Sequence, residues 1–170
     1  MKVYEAILTR RSIRCFKPTA VGRERLEKLL EAARWAPSAG NLQPWVFVVV
    51  TSEEVKANLA AGALGQRFVA EAPAVIAVVA APLELSPYGR RGRELYCLQD
   101  TAAAVQNVLL AAHEMGLGTC WVGAFDDEAV ARALGLKRGE RPVALIPIGV
   151  PAEKGSSSRR PLEEVVRWIT

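Results

Sequence analysis

Ala36-Pro37-Ser38-Ala39-Gly40-Asn41-Leu42-Gln43-Pro44-Trp45-Val46-Phe47-Val48-Val49-Val50 holds a helix stop, a small polar loop and a strand start in one run. Pro37 disfavours helical geometry at Ala36 and so ends whatever helix arrives there. Ser38, Gly40 and Asn41 are turn formers. The apolar, β-branched run from Val46 to Val50 reads as a strand buried on both faces. Upstream, Leu26, Leu29, Leu30 and Ala33 recur at helical spacing, with Glu27, Lys28, Glu31 and Arg34 on the wet side.

Downstream, Ser52 caps a helix over residues 53–63, and Ala74 to Ala80 is a second buried strand. Pro82 to Arg93 is rich in Pro, Gly and Arg and reads as a loop or mobile cover. Ala102 to Met115 is a long helix, stopped at Gly116 or Gly118. It is apolar nearly all round, which places it centrally or in an interface. Thr119 to Val122 is a short strand. Asp126 caps a helix that Gly135 ends. Val143 to Val150 is the last strand, with Pro147 placing it at an edge or bend. Pro161 opens a terminal helix. The pattern is α+β, a central mixed sheet flanked by helices, and residues 1–170 form one domain.

The chain has 170 residues, with 22 Lys and Arg against 18 Asp and Glu. That mild excess is dispersed, without the basic stripe and module that nucleic-acid binding requires. Cys15, Cys97 and Cys120 make no even disulfide framework and read as buried free thiols in a reducing compartment. The N-terminus reads as an amphipathic helix without a signal-peptide core. No apolar run approaches the ~20 residues that span a bilayer. The expected location is the cytoplasm.

Arg10-Arg11-Ser12-Ile13-Arg14 packs three guanidinium groups and a hydroxyl into one short stretch. Guanidinium binds phosphate bidentately and keeps its proton. Each charge-assisted bond contributes roughly 1.5–3 kcal/mol. The plain alternative is a solvated helix end. Arg159-Arg160 adds a second basic element behind a serine run, or is only a basic tail. The 37–41 loop has room for a flat ligand against its backbone, or is only an ordinary helix-to-strand turn. Trp45 reads as core. Gly116-Leu-Gly118-Thr-Cys-Trp121 lacks the third glycine of a dinucleotide fingerprint. His113, the one histidine, has no partner for a zinc motif or a Ser-His-Asp triad, and no metal ligands or catalytic side chains are expected.

These stretches together carry a resemblance. RRSIR at 10–14, APSAGNLQPW at 36–45, LQDTAAAVQNVLLAAHEMGLGTCWVGAF at 98–125 and SRRPLEEVV at 158–166 resemble, in order, the nitroreductase family of FMN-dependent oxidoreductases. The resemblance implies a homodimer with FMN at the interface, NADH or NADPH as donor, and small-molecule acceptors such as nitroaromatics, quinones or flavins. It implies that Arg10 and Ser12 meet the phosphate and ribityl end, that Arg159 gives the phosphate a second cation, and that Arg11 is among the cofactor-binding residues. It places Arg14 near the pyrimidine edge, with Gln66 or Arg67 as further candidates there. It sets Pro37, Ser38, Ala39 and Asn41 against the partner subunit's flavin, and Val122, Gly123 and Ala124 beside the ring. Many family members carry an acidic residue before a glycine at this last step, whereas this chain has Gly123-Ala124. Specialised branches that fragment flavins, dehalogenate or dehydrogenate, and a flavin-binding protein without turnover, are the alternatives.

Overall fold

The computed structural model describes residues 1–81 and 87–170. The chain opens with helix α1 (Val3–Thr9) and an extended segment, followed by α2 (Arg23–Arg34). A 3-10 turn (Ala39–Asn41) then leads into β1 (Trp45–Val50). Next come α3 (Glu53–Gly62), α4 (Phe68–Glu71) and β2 (Ala74–Ala80). Short α5 (Gly89–Arg91), a π turn (Gly92–Tyr96) and long α6 (Cys97–Glu114) run on from one another. β3 (Gly118–Thr119), α7 (Asp127–Leu134), β4 (Arg141–Gly149) and a final 3-10 turn (Leu162–Glu164) complete the order.

The described strands form one sheet in the order β1-β2-β4-β3. β2 is its spine and is buried along its whole length. Its residues alternate between two cores. Ala74, Ile76 and Val78 pack with Leu29 of α2 and Val105 and Val108 of α6. Val75 and Ala77 pack with Leu59 of α3, Val69 of α4 and Val130 of α7. A strand that feeds helices on both faces must be apolar at every position. Each such Val or Ile contributes roughly 1.5–3 kcal/mol of burial.

Helix signals behave as the chemistry requires. The Ser52 hydroxyl accepts the Val55 N–H, and the Asp126 carboxylate accepts the Ala129 N–H at 2.7 Å. Gly135 closes α7 in the left-handed conformation, φ +62°. Gly62 lets α3 and α7 approach, since a Cβ there would stand 3.3 Å from Ala129 Cβ and Val130 Cγ2.

Several expectations need correction. The mixed sheet is antiparallel throughout its named strands, and its one parallel feature among the described residues is a bridge between Ser12 and Thr119. β1 is not buried on both faces, because it is an edge strand with Val46 and Val49 exposed. β4 is not at an edge, although it contains Pro147. The Thr119–Ile148 and Val122–Leu145 pairs fix a register that sets Cys120 opposite Pro147. There the proline has no N–H to give, and β3 loses its ladder after Thr119, so the expected 119–122 strand is broken. α6 starts at Cys97, five residues before the expected start, because α5 and the π turn feed it. The C-terminal helix reduces to one 3-10 turn. Leu162, Val165, Trp168 and Ile169 are exposed there, so in a single chain the segment has no apolar face to pack on. Within the expected cover over 82–93, residues 82–86 lie outside the described residues, and Gly89–Arg93 is helical.

No helix among the described residues is long and apolar enough to cross a membrane.

Candidate functional site

After α1 the chain extends, and Ile13 donates its N–H to Thr119 O at 2.9 Å. In an extended segment successive side chains point to opposite sides. Ile13 is buried and packs at Gly118, where a Cβ would collide with its side chain at 2.8 Å. Arg10, Ser12 and Arg14 share the other side. Ser12 and both arginines lie close enough to the Cys120 thiol to favour its charged form. Burial pushes the Cys120 thiol up, against the pull of Arg14, so it stays protonated at neutral pH.

Arg11 alternates away from this group. Its Nη1 donates to Leu8 O at 2.7 Å and Arg10 O at 2.8 Å, which caps the C-terminus of α1. Its stem packs where a Cβ on Gly155 would stand 2.6 Å away. Arg11 therefore closes the helix through Nη1.

Burial comes first in holding the Arg10 guanidinium below its ordinary value, and Arg159 and then Arg11 add repulsion. Arg159, distant in sequence, is thus close enough to Arg10 to act on its charge. Arg159 is exposed and donates to Ser158 O at 2.7 Å and Ser157 Oγ at 3.1 Å. Two cations close enough to repel are relieved by an anion that accepts from both. The Glu153 carboxylate accepts the N–H groups of Arg14 and Cys15, the latter at 3.0 Å, and so fixes the strand that carries the clamp. The Arg14 guanidinium carbon lies 5.8 Å from the Phe68 ring centroid, within cation–π range.

Gln66 joins this group through the backbone. Its Nε2 donates to Ala63 O at 2.9 Å and to Ala124 O at 3.0 Å, tying the Gly123-Ala124 loop to the α3–α4 connection. Val122 is buried and exchanges both backbone bonds with Leu145. Gly123 and Ala124 are exposed. Arg67 is exposed at the start of α4.

Pro37, Ser38, Ala39 and Asn41 are elsewhere. The buried Asp100 carboxylate of α6 accepts the Ala39 N–H at 3.1 Å. Ser38 Oγ accepts the Gln43 N–H at 3.0 Å. Gly40, Asn41 and Gln43 all have positive φ, +57°, +55° and +52°. Such a run is costly for non-glycine residues and holds only where neighbours over-determine it. Tyr88 is one such neighbour, its hydroxyl 2.7 Å from where a Gly40 Cβ would stand.

Two observations separate this loop from the clamp. The loop leads into β1 at one sheet edge, while Ser12 adds to β3 at the other. The loop is tied to Asp100 near the start of α6, whereas Thr9 Oγ1 lies 2.8 Å from His113 Nε2 near its end. Those positions on α6 are about 20 Å apart at the helical rise. Sequence reasoning passed over Asp100 and Glu153. Asp100 had a signal, a carboxylate inside an otherwise apolar helix; Glu153, in a loop, had none. Among the described residues no group of three or more His, Cys, Asp and Glu is placed to hold a metal ion.

A profile described as the nitroreductase family matches residues 7–66 and 60–150. A Methanothermobacter thermautotrophicus protein named for NADH dehydrogenase/NAD(P)H nitroreductase activity is 37% identical over 158 residues, covering 90% of this chain and 79% of that protein. A Thermus thermophilus protein named NADH dehydrogenase is 35% identical, covering 96% of this chain and 94% of its own. A Desulfovibrio desulfuricans protein described as a nitroreductase, crystallised in complex with FMN, superposes with a TM-score of 0.88 at 36% identity, covering 100% of this chain and 98% of that one. With the profile spanning most of its length and relatives of this identity matched nearly end to end, the chain belongs to the nitroreductase family.

Proposed function

We propose that the protein is an NAD(P)H-dependent oxidoreductase that binds FMN and passes electrons to a small acceptor such as a nitroaromatic, a quinone or a flavin. The observation that supports this reading is that Arg159 is close enough to Arg10 to act on its charge, while Arg10, Ser12 and Arg14 all act on the one Cys120 thiol. The donor set fits FMN. A terminal phosphate suits two guanidinium groups, and ribityl hydroxyls suit Ser12. Bound FMN supplies the hydride-accepting and electron-passing chemistry.

Each side chain then has a defined task. Arg10 and Arg159 hold the phosphate. Arg14, steadied by Phe68, sets a fixed positive charge at the pyrimidine edge, where it favours the reduced cofactor. Gln66 holds the 123–124 loop through Ala124 O, and backbone N–H groups of that loop would serve the flavin ring. Gly123 leaves that surface without an acidic side chain. Donor and acceptor occupy one face in turn, a ping-pong order.

The site is completed by a second copy of the chain. The 37–41 loop cannot reach its own clamp across the sheet and along α6. A two-fold partner would present its own 37–41 loop there. Apolar surface for such a partner is at hand. Val3, Tyr4, Ile7, Leu8 and Trp35 are exposed together with the C-terminal Leu162, Val165, Trp168 and Ile169. Exposure on this scale marks an interface. The reading is of one 170-residue unit working in the cytoplasm as a homodimer with two FMN sites.

The test is direct. The purified protein should be yellow and release FMN on denaturation, and anaerobic NADH or NADPH should bleach the flavin band. A colourless protein that fails to take up added FMN would overturn the reading.

A further inference from the structure

A second cavity lies behind the clamp. It has a volume of about 530 Å³ and is lined by Thr9, Arg10, Arg11, His113, Lys154 and the Gly116–Thr119 turn, among others. Of the clamp residues only Arg10 borders it. Ser12, Arg14 and Arg159 do not, because the extended segment turns Ser12 and Arg14 to the opposite side. The cavity is therefore separate from the proposed flavin phosphate site, with the Arg10 stem as the dividing wall.

Its walls have a definite chemistry. Arg10, Arg11 and Lys154 bring positive charge from the α1 end and the 151–155 segment. The facing carboxylate, Glu153, is held by the Arg14 and Cys15 N–H groups. Glu114, near the rim, stands 3.9 Å from the Met1 amino group. Thr9 and His113 place a hydroxyl and an imidazole 2.8 Å apart on one wall. Ile13, Leu117 and Pro151 make another wall apolar. The volume far exceeds one phosphate group, so the apolar wall has room for an organic body.

We propose that this cavity is a second anion site, taking a small organic anion whose phosphate or carboxylate meets Lys154, His113 and Arg11 while its apolar body lies on Ile13, Leu117 and Pro151. The imidazole is a built-in reporter. Burial first, then Arg10 and Arg11, hold His113 below its ordinary value, with Glu5 of α1 opposing them. An anion in the cavity offsets that repulsion and raises the value again.

Because His113 is the one histidine of the chain, its ring proton resonances can be followed unambiguously by NMR. The titration uses FMN-saturated protein, so the clamp is filled, with phenyl phosphate and inorganic phosphate as probes. Phenyl phosphate should move the His113 titration midpoint upward by about one pH unit. It should bind roughly tenfold more tightly than inorganic phosphate. Lys154→Gln, at an exposed position outside the clamp, should weaken phenyl phosphate by about tenfold and leave FMN content unchanged. A midpoint that does not move in FMN-saturated protein overturns the proposal. So does a shift seen without FMN and lost on loading it, which would assign the anion to the clamp. Equal affinity for the two probes would overturn the organic-anion assignment.

Discussion

The Asp100 carboxylate, buried on α6, accepts the backbone N–H of Ala39 at 3.1 Å and so sets a loop that, in the proposed dimer, serves the partner's site. Burial pushes this carboxyl up from its ordinary value of 3.8, and the Ala39 N–H pulls it part of the way back. The folded chain therefore binds a proton that the unfolded chain has already released. Stability from this group is present below about pH 3.8 and is lost as pH rises through the folded value. Asp100→Asn keeps an acceptor without the charge. It should flatten the denaturation profile above about pH 3.8, raising neutral-pH stability relative to the parent. Asp100→Ala, which removes the acceptor, should cost about 1–3 kcal/mol in urea melts and lower FMN occupancy.

Alternation along the extended segment makes neighbouring arginines behave differently. Arg10→Ala or Arg159→Ala should weaken FMN binding roughly tenfold to a hundredfold while the fold survives, as read by fluorescence titration. Arg11→Ala should change FMN affinity by less than about threefold and instead lower the melting temperature, since it uncaps α1. Equal losses of FMN from Arg10→Ala and Arg11→Ala would reject the alternation.

These two residues also show where sequence reading stops. RRSIR announces an anion site, but three arginines in a row of five look alike until the Ser12–Thr119 bridge makes the segment extended. That bridge is a long-range contact with no local signal. Elements written in short-range chemistry were legible: the stripe of α2, the Ser52 and Asp126 caps, the Gly135 stop and the valine run of β2. β1 was misread because periodicity reports apolar residues without saying what covers them. Val46 and Val49 are as apolar as β2, yet they stand at an edge. Pro147 was sent to an edge or a bend by a sound rule. The fold satisfies the rule differently, by breaking β3 opposite it. The terminal residues have a helical start signal at Pro161 but no core of their own to pack on.

Assembly follows from the separation of loop and clamp. Light scattering should give a mass of two chains, with two FMN per dimer. Ile7→Glu on the exposed face of α1, paired with Trp35→Glu, should yield monomers that lose FMN. A monomer that retains FMN would show that one chain builds the whole site.

The segment before α6 bears on donor choice. Arg90 and Arg91 stand side by side there but are held differently. Arg90 is exposed and reaches Glu94 only at 3.8 Å, a pair of little worth in water that leaves the guanidinium free to move. Arg91 is committed. Its guanidinium lies 5.3 Å from the Tyr96 ring centroid and its Nε donates to the Tyr96 hydroxyl at 3.1 Å. Tyr96 in turn meets Tyr88 edge-on, with centroids 5.4 Å apart, and Tyr88 sits on Gly40 of the 37–41 loop. Arg90 is thus the residue available to greet the extra phosphate of NADPH, while Arg91 braces the loop. Arg90→Gln should raise the KM for NADPH several-fold more than that for NADH, with FMN content unchanged. Arg91→Gln should affect both donors alike, by loosening the Tyr96–Tyr88–Gly40 stack. Steady-state kinetics with both donors decides it. Equal donor effects from Arg90→Gln would leave the arginine as a solvated surface charge.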